Sequence, residues 1–192
     1  MPDLSWLRKL PGRPLVVAEI KQRSPFDGWV NPLRWREQLE ICESVANVIS
    51  VHTNPLWGGS WRHLEAVANT TSLPVLAKGF HDTVFDVQRA LDCGADCVLT
   101  VGWDGGPLLR HCWFEVESRD QLINADETNW IVLNSRNPRT GEPQKNPALQ
   151  PSRAIKSVDK LGHHICQASN IRGPGDVVPG MDAILIGEGL YR

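Results

Sequence analysis

The chain has 192 residues, 41% of them hydrophobic, and a formal net charge of -2, which suits one domain spanning residues 1–192 with a substantial core. That charge balance leaves no basic footprint for nucleic acid, and no run of like charge suggests a membrane surface. The apolar stretches are strand-sized and residues 1–10 carry charge throughout, so the expectation is a cytoplasmic protein without membrane span or signal peptide.

Eight short apolar runs punctuate the chain, at 15–20, 45–51, 73–76, 97–101, 112–116, 130–133, 164–166 and 183–186. They are rich in Val, Ile and Leu and mostly do not alternate, as expected of strands covered on both faces. Helical patterns lie between them at 32–44, 60–69, 83–93, 118–125 and 152–161, where apolar residues recur among charged ones. The connectors 103–111 and 173–180 have room for little more than one turn, and residues 135–151 form one long loop of the kind that often covers a site. Strand alternating with helix predicts a parallel sheet, and eight strands close into a compact (β/α)8 TIM barrel of the α/β class with short or missing helices. An open doubly wound sheet would call for a glycine fingerprint after the first strand, and residues 19–25 contain no glycine.

Five cysteines (Cys42, Cys93, Cys97, Cys112 and Cys166) lie mostly in or beside apolar runs, without a second pair at zinc spacing, and read as reduced thiols. No metal is expected, and His163-His164 alone is a weak signal. Of the eight tryptophans, Trp29, Trp57, Trp61 and Trp103 flank proposed loops. They serve packing or line an aromatic pocket.

Active sites of such barrels lie at the C-terminal ends of the strands. Those ends carry Glu19 and Lys21, His52 and Thr53, Lys78, Thr100, Glu115, Asn134, Ser169 and Gly187-Glu188. Glu19 and Lys21 are two residues apart, so an extended chain points both to one face. Any of these alone is ordinarily an ion pair or a solvated rim residue. Two lysines, two glutamates and an asparagine at one mouth point instead to proton transfer on an anionic substrate. Backbone N–H groups after strands seven and eight, around Ser169-Asn170 and Gly187-Glu188, are where barrels commonly hold a phosphate.

Eight segments, in order, carry a resemblance. Glu19-Ile20-Lys21-Gln22-Arg23-Ser24-Pro25 resembles the E-x-K-x-x-S-P signature of the indole-3-glycerol-phosphate synthases, and Ile49-Ser50-Val51-His52-Thr53 their I-S-V-L-T. Trp57-Gly58-Gly59-Ser60 resembles F-x-G-S, and Leu73-Pro74-Val75-Leu76-Ala77-Lys78-Gly79-Phe80 resembles L-P-V-L-x-K-D-F. Gly94-Ala95-Asp96-Cys97-Val98-Leu99, Phe114-Glu115-Val116 and Leu133-Asn134-Ser135-Arg136-Asn137 are similar to G-A-D-x-x-L, L-x-E-V and I-N-N/S-R-D/N. The closing residues 183–191 look like A-x-L-I-G-E-S-L-M.

The resemblance implies a (β/α)8 enzyme of tryptophan biosynthesis, a carboxy-lyase working without cofactor or metal. Its substrate is the small anthranilate-derived 1-(o-carboxyphenylamino)-1-deoxyribulose 5-phosphate, closed to indole-3-glycerol phosphate with loss of carbon dioxide and water. Carried over by position, Lys78 is the general acid, Glu115 shares the acid–base steps, Lys21 contacts substrate and donates a proton, and Glu19 holds the charge pattern. Asn134 and Ser24 fall beside the substrate, Trp57 and Phe80 in the anthranilate pocket. Ser169, Asn170, Gly187 and Glu188 fall at the phosphate, Glu188 through its backbone.

The chain departs from that pattern in places. Gly79 stands for the aspartate of K-D-F, Ala168 for the glutamate and Asn170 for the glycine of E-S-G-I. Phe26 replaces a Ser or Thr, His52 a leucine, and Gln22-Arg23 the usual basic-then-small pair. Only 14 residues precede the first strand, so the N-terminal extension is expected to be reduced, and another subunit in its place is left open. Losing one proton-transfer group costs roughly 10²–10⁴-fold in rate. Three readings therefore stand: a synthase, a divergent barrel enzyme acting on a related phosphorylated or indolic compound, and a catalytically silent relative that binds a ligand.

Overall fold

The computed structural model describes residues 3–126, 130–158 and 162–192. Eight parallel strands close into a barrel in chain order. They are β1 (Leu15–Ile20), β2 (Val48–His52), β3 (Val75–Lys78), β4 (Cys97–Val101), β5 (Cys112–Glu115), β6 (Trp130–Asn134), β7 (His164–Ala168) and β8 (Ala183–Ile186). Five α-helices follow β1, β2, β3, β5 and β6: α1 (Trp35–Glu43), α2 (Trp61–Ala68), α3 (Val84–Asp92), α4 (Arg119–Ile123) and α5 (Pro151–Val158). The last stretch of the expected helix 152–161, residues 159–161, lies outside the described residues. The thin connectors hold 3₁₀ turns only, Gly106–His111 after β4 and Pro174–Asp176 after β7.

Local chemistry sets where the helices begin. Ser60, Thr83 and Ser118 each accept a hydrogen bond from the backbone N–H three residues on, and Asp86 and Gln121 return the bond to the cap residue's own N–H. Inside the barrel, Val17, Leu76, Leu99, Val101, Val132 and Leu185 form one apolar cluster, closed at its lower end by Trp113 stacked on Trp130 at 4.4 Å. The alternate residues of the same strands, such as Val16, Ile49, Val75 and Ile184, pack outward against the helices. Burial on both faces makes the strands read as continuous apolar runs. Each buried leucine contributes roughly 1.5–3 kcal/mol over an exposed one.

The strands outlast their apolar runs. β2, β6 and β7 extend to His52, Asn134 and Ala168, while β3 begins two residues later than expected and ends on Lys78. A strand ends where its ladder ends, and here the last rungs carry the polar residues that look into the mouth: His52 pairs with Lys78 and Asn134 with Ala168 in register.

The long loop after β6 is also more ordered than expected. Its residues 136 and 143 form an antiparallel bridge, Asn137 caps the turn by accepting from Arg139 and Thr140 N–H, and a 3₁₀ turn Pro147–Leu149 leads into α5. No helix among the described residues is long and apolar enough to cross a membrane.

Candidate active site

One cavity opens at the C-terminal ends of the strands, about 830 Å³ with its mouth included. Leu99, Val101 and Leu185 form its apolar floor, and Glu19, Lys21, Lys78, Glu115 and Asn134 all line it. Four strands, β1, β3, β5 and β6, thus deliver the five polar groups that the strand ends carry in the sequence, with Lys21 standing one residue past β1.

On the β1–β3 side the polar groups are tightly paired. The Glu19 carboxylate, 3% exposed, sits 3.3 Å from Lys78 Nζ through one oxygen and 3.0 Å from His52 Nε2 through the other. Burial alone would raise the Glu19 pKa, but the Lys78 ammonium and the His52 ring outweigh it and hold the carboxyl well below the usual range. Burial pushes His52 down to about 4, partly offset by Glu19, so the ring is neutral at pH 7. Gly187 makes room for this carboxylate, because a Cβ there would lie 2.5 Å from Glu19 Oε2.

Lys21 projects to the same cavity but pairs elsewhere, with Glu188 Oε1 at 2.9 Å. Its backbone is clamped: its N–H donates to Gln38 of α1 and its carbonyl accepts from Asn31. Arg192 holds the second oxygen of Glu188 at 3.1 Å. Beyond the backbone role expected of it, the Glu188 side chain is therefore a counter-ion.

The β5–β6 side is sparser. Glu115, 2% exposed, receives one hydrogen bond from Asn134 Nδ2 at 2.9 Å, and its Oε2 is buried without a hydrogen-bond partner among the described residues. Burial pushes its pKa up to about 7, with Lys78 and Asn134 pulling weakly the other way. Asn134 is fixed in that orientation, since its Oδ1 accepts from Arg136 N–H.

Aromatic rings wall the β1–β3 end. Trp57 lies parallel to His52 at 5.0 Å, with Phe80 and Phe26 edge-on to it at 5.5 and 5.9 Å. Phe26 packs on Gly141 of the long loop. Arg139 stacks over Phe80 at 4.6 Å and bridges Asp82 and Glu117. The loop thus lies across the mouth, and its Arg136 and Pro138 line the cavity.

Ser169 and Asn170 both adopt left-handed backbone, at φ 66° and 58°, and line the rim with Gly187 and Arg172. Asparagine is among the few residues besides glycine that tolerate this conformation, which explains how Asn170 stands at a glycine position. Its Oδ1 accepts from the Arg136 guanidinium. The missing aspartate has a packing counterpart: a Cβ on Gly79 would lie 2.5 Å from Thr53 Oγ1, which bonds buried His81 at 3.0 Å.

Three expected positions fall elsewhere; Thr53 does not line the cavity, its hydroxyl bonding buried His81 instead. Ser24 is buried in the turn closed by the Arg23–Val30 bridge, its N–H donating to Trp29, and it does not line the cavity. Thr100 alternates with the cavity-lining Leu99 and Val101 and so points out of the barrel. Conversely, Arg172 faces the cavity although no motif marks it, Arg136 is the arginine of the I-N-N/S-R-D/N-like segment without a role assigned from sequence, and Phe26 follows the E-x-K-x-x-S-P-like segment.

The model of the family described as "Indole-3-glycerol phosphate synthase" matches residues 4–102, just over half of the chain. This chain belongs to that family. The matched half carries Glu19, Lys21, His52 and Lys78. Similarity to whole relatives continues through β5–β8. The indole-3-glycerol phosphate synthase of Staphylococcus aureus strain JH1 is 29% identical over 198 residues, spanning 92% of this chain and 74% of the relative. That of Saccharopolyspora erythraea is 29% identical over 203 residues, spanning 91% and 71%.

Proposed function

We propose that this barrel, residues 1–192 acting as one unit, is a cytoplasmic indole-3-glycerol phosphate synthase. It closes 1-(o-carboxyphenylamino)-1-deoxyribulose 5-phosphate to the indole with loss of carbon dioxide and water. The observation that carries this reading is that Lys78 and Glu115 face one cavity, near enough for the Lys78 charge to act on Glu115.

The chemistry fits the groups. The aryl carbon attacks the ketose carbonyl carbon, and the carbonyl oxygen takes a proton from Lys78, whose ammonium Glu19 holds at 3.3 Å. Carbon dioxide then leaves from the carbon that bore the carboxylate, restoring part of the ring's electron supply. The new hydroxyl departs as water when an acid supplies a proton, and the conjugate base of that acid takes a proton from the ring carbon beside the nitrogen, which completes the indole. Glu115, pushed up to about 7, carries a usable proton at neutral pH. Lys21 answers the substrate's negative charge and is a further proton donor of this scheme. The apolar floor limits water, which strengthens each of these charges.

The aryl group suits the Trp57–Phe80 end of the cavity. The phosphate suits the opposite rim, where Ser169-Asn170 and Gly187-Glu188 offer backbone N–H groups and Arg136 and Arg172 supply positive charge. Neither Gly79 nor Ala168 removes a group this scheme uses.

The test is direct: incubate the purified protein with the carboxyphenylamino-deoxyribulose phosphate and follow indole fluorescence. Turnover is expected, and Lys78→Ala should lower it by roughly 10²–10⁴-fold. Tight binding of the substrate without turnover would overturn the synthase reading in favour of a silent, ligand-binding barrel.

A further inference from the structure

We propose that the Glu188 carboxylate is a built-in competitor of the substrate: it holds Lys21, yields it to the substrate's anion on binding, and passes to Arg192. The synthase reading enters only in naming that anion. The Lys21 ammonium donates to Glu188 Oε1 at 2.9 Å, and no other carboxylate ion-pairs with it among the described residues. Both side chains line the cavity. They are 12% and 11% exposed, so solvent and salt screen the pair little.

The pair stands where an incoming anion needs the lysine. The Lys21 stem runs past Gly187, since a Cβ there would lie 3.4 Å from Lys21 Cδ. Gly187 shares its rim with Ser169, Asn170 and Arg172, the rim that suits a phosphate. Glu188 thus brings a negative charge to a place otherwise furnished with backbone N–H groups and cations. An anion arriving there meets a neutralised lysine and a like charge unless Glu188 turns away.

The exchange needs little movement. Gln38 and Asn31 fix the Lys21 main chain, so only side chains have to turn. A nearly buried carboxylate left without a partner would be costly, and here it is not left without one. Arg192 already ion-pairs with the second Glu188 oxygen at 3.1 Å. Its guanidinium is itself placed by a hydrogen bond to Asp27 at 2.9 Å and by the Trp29 ring, 5.4 Å away. With five N–H groups it can receive the oxygen that Lys21 releases.

The test needs no turnover. Calorimetric titration with inorganic phosphate reads how freely Lys21 is offered. Glu188→Gln should tighten phosphate binding by about twofold to fivefold, and Arg192→Gln, which leaves Glu188 to Lys21 alone, should weaken it by about twofold. Arg192→Gln should have no further effect once Glu188→Gln is present, and Glu188→Gln should gain nothing in a Lys21→Met background. These double variants separate an exchange of partners from the plain field of three charges, whose effects would persist in them. Effects that persist overturn the proposal. So does unchanged or weaker phosphate binding in Glu188→Gln, and so does phosphate that binds neither that variant nor the parent. Folding is checked by circular dichroism, with Glu188→Ala and Lys21→Gln standing in for a variant that fails it. A second arm rests on the synthase reading: KM for the phosphorylated substrate should fall in Glu188→Gln and rise in Arg192→Gln. A protein without turnover fails that reading alone, and the phosphate titration still decides the exchange.

Discussion

Glu19 and Glu115 stand at two sides of one cavity, equally buried and drawn in opposite directions. Glu19 has an ammonium and an imidazole within 3.3 Å and stays ionised far below the usual carboxylate range. Glu115 has one amide donor, and burial carries it up to about 7. Burial is nearly the same, so the number and charge of the partners decide. The β1–β3 side is a fixed charge pattern, whereas the β5–β6 side holds a proton it can give up near neutrality. An acid–base site needs both, one to hold a lysine in place and one to exchange protons.

The comparison breaks hardest at Glu19. Glu19→Gln removes the buried counter-charge of the partly buried Lys78 and should cost about 3–5 kcal/mol of stability at pH 7. Because the folded-state pKa of Glu19 is depressed, its contribution is complete above the unfolded value of 4.5 and is lost as pH falls toward the folded value. Urea melts at pH 7 and pH 4 should therefore show the gap between parent and variant beginning to narrow only at the lower pH. An equal gap at every pH would mean that Glu19 stabilises by packing alone.

Glu115 should behave with the opposite sign. Its folded pKa is raised from 4.5 to about 7, so the folded state binds the extra proton in that window and stability falls as pH rises through it. Above the window the penalty is about 3 kcal/mol, at 1.36 kcal/mol per pKa unit. Glu115→Gln should then gain on the parent by up to that amount at pH 8, compared with its difference at pH 4.5, while losing roughly 10²–10⁴-fold in turnover. A stability difference that does not change with pH would refute the raised pKa.

Much of this arrangement is legible in the sequence, and the exceptions have physical causes. Eight apolar runs and the caps at Ser60, Thr83 and Ser118 specify a barrel and where three helices start. The ends of the strands are less legible. His52, Lys78 and Asn134 are polar because they face the cavity, so an apolar criterion stops short of these rungs. Thr100 misleads for the reverse reason: in a period-2 strand the residue between Leu99 and Val101 must point away from them. Pairing across the chain is invisible to spacing. Glu19 and Lys21 share a face as i, i+2, yet Lys21 takes its partner from Glu188, 167 positions on. Ser24 leaves the cavity because residues 23 and 30 bridge and turn it inward.

The rim after β7 marks the weak end of the comparison, since backbone conformation rather than paired charge shapes it. Asn170 does two jobs there: it accepts φ 58° and it tethers Arg136. Asn170→Ala loses both and should destabilise by about 1 kcal/mol, the size of a left-handed penalty for an ordinary residue. Asn170→Gly loses only the tether while relieving the backbone, so its stability should stay within about 0.5 kcal/mol of the parent. Arg136 is released equally in both, and any change in KM for the phosphorylated substrate should be shared, whereas the melting temperatures should separate. If the two variants melt together, the tether and not the backbone holds this rim, and the β7 side would resemble the β1–β3 side after all.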